Sequence, residues 1–352
     1  MIVSSTQACD WANISPRNSV HKEEGEHASG FTGAKVRLIG RFDLSREGRA
    51  RFTWPGSSLE FRFEGVSASI GIASSDRVRF LVEVDGRESD LFVTPGERVY
   101  RLASGLETGR HSIKVVRLSE SFAGITAFTS DPVVQGKLLT PPNSPARRLL
   151  VFGDSITAGY GVEGESESCG YSIETSNPLK TYASLAAKAL DADLHIIAWS
   201  GIGVWRSYGE QIPKEPTIID RYPLVLADDF DSRWNPAQFP PDAVLVTIGT
   251  NDYWDGEAPG YRGAMDRLLQ TLRGDYPQTP LYLIVSPMLS GSARVQQKAV
   301  LSSFAGESVT VLDLGKIEAS DGYGCDYHPN MRTQSRMADA LVEYFKDDLG
   351  WK

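Results

Sequence analysis

An all-β jelly-roll sandwich followed by an α/β domain built on a parallel sheet is the architecture that the hydrophobic patterning of this chain predicts. Three observations carry it: a period-2 alternation from about residue 36 to residue 129, a proline cluster at 141–145, and a β-α repeat beyond it. A length of 352 residues exceeds what one core usually serves, so two domains also match the size.

The first half reads as short alternating runs: 36–40, 59–63, 69–72, 78–86 and 112–118. Alternation bounded by Asp-Gly, Pro-Gly and Gly-Ser marks antiparallel strands with one buried face, and eight to ten such runs without a helical period predict the sandwich. Pro141, Pro142 and Pro145 then interrupt the pattern, because proline lacks the N–H a ladder needs and favours an extended connector. The predicted divisions are an N-terminal extension over 1–35, the sandwich over 36–140, a linker over 141–146 and the second domain over 147–352.

Beyond the linker, apolar runs near Leu149 and at 195–198, 243–246, 281–285 and 309–312 alternate with helical patterns at 181–190, 261–275, 293–305 and 333–348. Five short apolar strands separated by helices suit a parallel sheet covered on both faces. A flavodoxin-like three-layer sandwich is the simplest arrangement.

Composition excludes several functions. A net charge of -9 disfavours a nucleic-acid partner or an anionic membrane surface. Cys9, Cys169 and Cys325 allow at most one disulfide and form no CxxC pattern, while the five histidines are not at zinc-ligand spacing, so neither a metal nor a cofactor is expected. The first residues lack the basic and apolar regions of a signal peptide, and no run approaches the roughly 18 apolar residues of a membrane span. As it stands the chain is expected to be soluble and cytoplasmic, with its oligomeric state open.

The chemistry gathers at predicted strand ends, where open parallel sheets bind ligands. Gly153-Asp154-Ser155-Ile156-Thr157-Ala158-Gly159 follows the first apolar run, Ser200-Gly201-Ile202-Gly203 the second, Gly249-Thr250-Asn251-Asp252 the third, and Asp326-Tyr327-His328-Pro329 the last. Acyl transfer needs a nucleophile, a base and oxyanion donors, and these segments supply all three kinds of group. Each block taken alone has a plainer reading: Asp154 and Ser155 as a helix cap, Gly201 as a turn residue, Asn251 as an Asx-type brace, His328 as a loop anchor. His195, inside an apolar strand, is expected to be a packing residue.

Four blocks in this order resemble the SGNH (GDSL) hydrolase superfamily over roughly residues 147 to 352. With the preceding sandwich and the strings Gly-Asp-Ser-Ile-Thr-Ala-Gly-Tyr-Gly and Trp-Ser-Gly-Ile-Gly-Val, the chain is similar to carbohydrate esterase family 2. The resemblance implies deacetylation of acetylated polysaccharides such as xylan and glucomannan, an acetylated carbohydrate being the partner, and allows an exported precursor. Ser155 would be the nucleophile, His328 the base, and the backbone N–H groups of Ser155 and Gly201 with the Asn251 amide the oxyanion hole.

One position departs from the superfamily. The acid usually found three residues before the base is here Cys325, and the nearest carboxylate is Asp326. In an extended segment residues i and i+2 share a side, which would let Asp326 reach His328. The resemblance also permits a Ser-His dyad whose histidine is oriented by a backbone carbonyl, and both versions stand at this point.

Asp154 and Asp252 are read as loop braces, Asp252 for the loop that presents Asn251. Tyr160, Tyr253, Trp205 and Trp254 are the candidate sugar-binding aromatics among a cluster that includes Trp199, Tyr208 and Tyr327, since flat sugar faces pack on rings. The long polar insertion 162–180 is expected to wall or cover the cleft. Two other functions remain: a lipase or thioesterase of the same superfamily, and a carbohydrate-binding protein with a vestigial hydrolase domain.

Overall fold

A computed structural model describes residues 30–352. Cys9, His21, His27 and most of the predicted extension over 1–35 lie outside the described residues.

Among the described residues, the first half contains nine strands, β1 (Val36–Ile39), β2 (Ala50–Phe52), β3 (Ser58–Ser74), β4 (Val78–Val84), β5 (Arg87–Val93), β6 (Gly96–Ala103), β7 (Gly109–Arg117), β8 (Thr126–Phe128) and β9 (Val133–Leu138), all paired antiparallel. The runs at 59–63 and 69–72, read as separate strands, are one strand of 17 residues. Its first part pairs with β1 and β7 and its second with β6 and β8, with register shifts between Gly65 and Ser69. An irregularity at this place bends the strand, so β3 serves both parts of the sheet. Leu59, Phe61 and Phe63 point inward while Arg62 and Glu64 point out, and the inward rings join Phe52, Phe80 and Phe128 in one core.

The second half carries β10 (Arg147–Gly153), α1 (Ser155–Ala158), α2 (Tyr182–Ala189), β11 (Ala192–Ala198), α3 (Ile218–Arg221), β12 (Ala243–Thr247), α4 (Tyr261–Asp275), β13 (Leu281–Ile284), α5 (Gly291–Ser302), β14 (Val309–Leu312) and α6 (Met331–Leu349). The five strands are parallel in the order β11-β10-β12-β13-β14. Leu149 and Val151 bury against α2 and α6, Leu150 and Phe152 against α4, which is why β10 is apolar on both faces. The first strand runs between the second and third, so their carboxyl ends open a crevice at the switch point.

The two halves are joined by buried polar contacts. Arg41 of the sandwich, 1% exposed, donates to the Leu224 carbonyl at 2.8 Å and to that of Tyr222, with its guanidinium 4.9 Å from the Trp234 ring. The Gly40 N–H donates to His195 Nε2 at 3.0 Å, and that imidazole stacks on Phe239 at 3.6 Å. Burial lowers the His195 pKa well below its usual value, so it sits neutral and acts as the packing histidine expected of it. Trp54 of the sandwich belongs to the core of the second half. Among the described residues no helix is long and apolar enough to cross a membrane.

Candidate active site

Ser155 opens α1 at the carboxyl end of β10. Asp154 caps this turn, its Oδ1 accepting the Ile156 N–H at 3.0 Å, so capping and presentation of the serine are two results of one geometry. The Asp154 carboxyl is fully buried, its other oxygen has no hydrogen-bond partner among the described residues, and desolvation pushes its pKa up to about 7.

His328 comes from the segment before α6, 173 positions away, and its Nε2 lies 2.8 Å from Ser155 Oγ. Its Nδ1 lies 3.0 Å from the Cys325 carbonyl and 3.1 Å from the Asp326 carbonyl. Two main-chain acceptors fix the tautomer with the proton on Nδ1 and leave Nε2 to accept from serine. Burial holds the His328 pKa below its ordinary value, which keeps the imidazole neutral around neutrality.

The Asp326 carboxylate does not make the contact expected of it. Asp326 and Tyr327 have φ of 49° and 61°, so the segment is left-handed rather than extended and the i, i+2 argument fails. The same twist turns the Asp326 carbonyl toward the imidazole, while its carboxylate takes the Tyr160 hydroxyl at 2.5 Å. Tyr160 in turn stacks on His328, ring centres 4.3 Å apart. The segment is secured by a Cys169–Cys325 disulfide and by the Cys325 N–H to the Gly161 carbonyl at 3.1 Å. Gly161 must be glycine there: its φ is +57°, and a Cβ would fall 2.5 Å from that of Cys325.

Gly201 and Asn251 leave the ends of β11 and β12, which flank β10 in register, Gly153 facing both Ala198 and Thr247. Gly201 has φ +82° and a Cβ there would meet open space, so the backbone conformation, rather than crowding, requires glycine. Among the described residues its N–H has no hydrogen-bond partner. Asn251 spends one amide hydrogen on the Ile202 carbonyl at 2.8 Å, which keeps the other available. Asp252 reaches across to the neighbouring loop and accepts the N–H groups of Val204, Trp205 and Arg206 at 3.0, 2.7 and 3.0 Å. Because Arg206 Nε returns to the Asp252 carbonyl at 3.0 Å, the two loops are braced together.

Residues 38–142 match the model of the carbohydrate esterase 2 N-terminal domain, and residues 151–336 that of the GDSL-like lipase/acylhydrolase family. A solved family two carbohydrate esterase from Clostridium thermocellum, in complex with cellohexaose, is 31% identical with a TM-score of 0.86, covering 90% of this chain and 100% of that one. The chain belongs to carbohydrate esterase family 2. A cellulase/esterase CelE from Acetivibrio thermocellus is 32% identical over 89% of this family 2 chain, which spans only 39% of CelE. An acetylxylan esterase / glucomannan deacetylase from Cellvibrio japonicus is 25% identical, with 92% of each covered.

The aromatic residues of the family 2 chain divide differently from expectation. Tyr253 is 4% exposed and packs edge-on against Tyr261 in the core, so it forms no wall. Trp205 is half-buried against Gly260 and the same core, drawn in by the Asp252 brace on its N–H. Tyr160 and Trp254 remain near the surface. Trp254 donates its indole N–H to the Glu210 carbonyl and borders the exposed Tyr208, whose backbone hangs from the Gly201 carbonyl at 2.8 Å. Trp199 is part of the packing, with the Arg221 guanidinium 3.9 Å from its ring.

Three features escaped sequence reasoning. Tyr171, from the insertion 162–180, contacts Tyr160 and Phe122 at 5.3 and 5.2 Å, tying the insertion to the sandwich. Phe122 and the buried Glu120 come from the sandwich, and Glu120 accepts from Ser200 beside Gly201. A polar Glu-Ser-Phe stretch after a strand carries no signal of its partner 80 positions on. The pairing of Cys169 with Cys325 was one of three possible, and only the fold chooses it.

Proposed function

We propose that the protein is a carbohydrate O-acetyl esterase that removes acetyl groups from polysaccharides such as xylan or glucomannan through a Ser-His dyad. The observation that carries this reading is the 2.8 Å contact between Ser155 Oγ and His328 Nε2, with main-chain carbonyls on Nδ1. Ser155 Oγ attacks the acetyl carbonyl as its proton passes to Nε2, the resulting imidazolium holding its Nδ1 proton against the two carbonyls. The oxyanion takes the N–H groups of Ser155 and Gly201 and the free amide hydrogen of Asn251. Collapse breaks the ester C–O bond, His328 protonates the departing sugar oxygen, and water then releases acetate from Ser155 by the same steps in reverse.

A carbohydrate acceptor is favoured by the rings that border this site. Tyr327 and Tyr208 are 62% and 68% exposed, and with Tyr160 and Trp254 they offer flat apolar faces at a polar surface, which suits sugar rings better than a long acyl chain. The names of the Cellvibrio relative and the cellohexaose complex support the same class of substrate.

Hydrolysis of a short aryl acetate by the native protein and by Ser155→Ala tests the mechanism, with loss of about 10⁴-fold or more expected in kcat. Equal rates would overturn it. Extension to longer acyl chains and to acetylated xylan and glucomannan tests the substrate class: activity should fall with chain length, and preference for long chains would favour a lipase instead. A protein without turnover that still binds the polysaccharide would be a vestigial hydrolase.

A further inference from the structure

The loop that presents the Gly201 amide is held from the other domain. Glu120 lies between β7 and β8 of the sandwich, is wholly buried, and points its carboxylate at Ser200: one oxygen accepts the Ser200 hydroxyl, and the other accepts the Ser200 N–H at 3.3 Å. Next to it, Ser121 Oγ donates to the Ala198 carbonyl at 3.1 Å, where β11 ends. Glu120 is itself fixed, its own carbonyl accepting from the buried Arg117 at 2.9 Å, and Arg117 also donates to the Gly124 carbonyl at 3.0 Å. Burying a carboxyl group is expensive, and hydrogen bonds to Ser200 and the nearby Arg117 only partly offset it. A serine-to-backbone contact or an apolar side chain would join two domains at lower cost, so this acid is placed for what it holds.

We propose that Glu120 is a positioning residue of the acyl-transfer reaction, a strut from the sandwich that fixes Ser200 and thereby aims the adjacent Gly201 N–H at the oxyanion. The inference rests on Ser155 being the nucleophile of an esterase. Gly201 sits at φ +82° with open space at its Cβ and, among the described residues, no partner on its N–H. Its turn is closed by the Ile202 N–H on the Trp199 carbonyl at 3.2 Å and by the Tyr208 N–H on the Gly201 carbonyl at 2.8 Å, and Glu120 fixes where that turn sits against the sandwich. The Glu120 contact is made one residue before Gly201, on the peptide plane that links Trp199 to Ser200 and precedes the Ser200–Gly201 plane carrying that amide. An oxyanion donor acts only if it is pre-aimed, since its advantage over water is that it need not reorganise during reaction.

The ionisation of Glu120 follows from the same geometry. Only the carboxylate accepts both the hydroxyl and the N–H without giving up an oxygen to a proton. Burial raises its pKa to about 7, with the Ser200 bonds acting against that rise. The charged or titratable groups around it are Arg117 on β7, Asp154 at the β10–α1 turn, and Tyr160 and Tyr171 from the cleft wall. The native enzyme should therefore gain kcat through neutral pH as Glu120 ionises, above the lower step set by His328.

Glu120→Gln, Ser200→Ala and the double variant, assayed on a short aryl acetate beside the native protein and Ser155→Ala, test the proposal. Glu120→Gln should fold and should lower kcat about 10- to 100-fold with KM within about twofold, part of the 10² to 10³ that loss of a whole oxyanion donor costs. Its kcat should lose the step near pH 7. Ser200→Ala should lose kcat similarly, and the double variant should be no worse than either single one, as for residues acting through one contact. Lowered thermal stability with kcat and pH profile unchanged, or losses that simply add, would overturn the strut. If Glu120→Gln does not fold, kcat of Ser200→Ala decides alone, within twofold of native being the overturning result. An active Ser155→Ala would instead sink the underlying esterase mechanism, so the two failures are distinct.

Discussion

At the scale of single residues, the His328 imidazole, the proposed base, is oriented by backbone carbonyls rather than by a carboxylate. Asp326 contributes its carbonyl to His328 and its side chain to Tyr160, so Asp326→Asn should cost less than about tenfold in kcat, far below the roughly 10⁴ of a triad acid. Steady-state kinetics on an aryl acetate would show which applies, and a loss of several decades would restore the carboxylate. The meeting of Ser155 with His328 was legible because each stands in a short polar string, Ser155 directly after β10 and His328 before α6. The role of Asp326 was not, because two consecutive non-glycine residues at positive φ leave no mark in Asp-Tyr-His that distinguishes them from an extended run. The inward turn of Tyr253 is hidden for a related reason: Tyr253 and Trp254 are adjacent rings on one loop, and the sequence does not say which faces the core.

At the scale of elements, the helix α4 was read to its ends from its 3.6-residue period, and the sheet strands from their apolar runs. The sequence shows β3 only as the two runs 59–63 and 69–72, whereas the register shift between Gly65 and Ala68 lets one strand continue through both. The element with the largest leverage is the 325–328 segment, tied to the insertion by the Cys169–Cys325 bond across 156 positions. A bond closing so long a loop removes much unfolded-chain entropy, so replacing both cysteines by alanine should lower stability by about 2–5 kcal/mol in urea unfolding. Because Cys325 also supplies a carbonyl to His328, the same variant should lose kcat more than it raises KM. Unchanged kinetics would mean that Gly161 and the Cys169 carbonyl, which accepts the Asp326 N–H at 2.9 Å, suffice to hold the segment.

At the scale of the whole molecule, buried acids and bases set opposing pH dependences. Glu120 and Asp154 titrate near 7 when folded, against about 4 unfolded, so between those values the folded chain holds protons that the unfolded chain has released. Their contribution favours folding at acidic pH and is lost as pH rises through about 7. His195 and His328 are depressed and act the other way, penalising folding as pH falls below about 6.5, where the unfolded imidazoles take up protons. Urea midpoints at several pH values should show Glu120→Gln flattening the decline between about pH 4.5 and 7.5; an unaltered slope would mean that Glu120 titrates normally. Domain docking was invisible in the sequence, since Arg41 and Glu120 are charged residues that composition assigns to the surface. On a nascent chain Glu120 emerges some 80 positions ahead of Ser200, so it begins hydrated and ionised. Closing the two halves below about pH 7 therefore takes up protons at Glu120 as well as expelling water, so the docked state of this enzyme is favoured less as the medium becomes more alkaline.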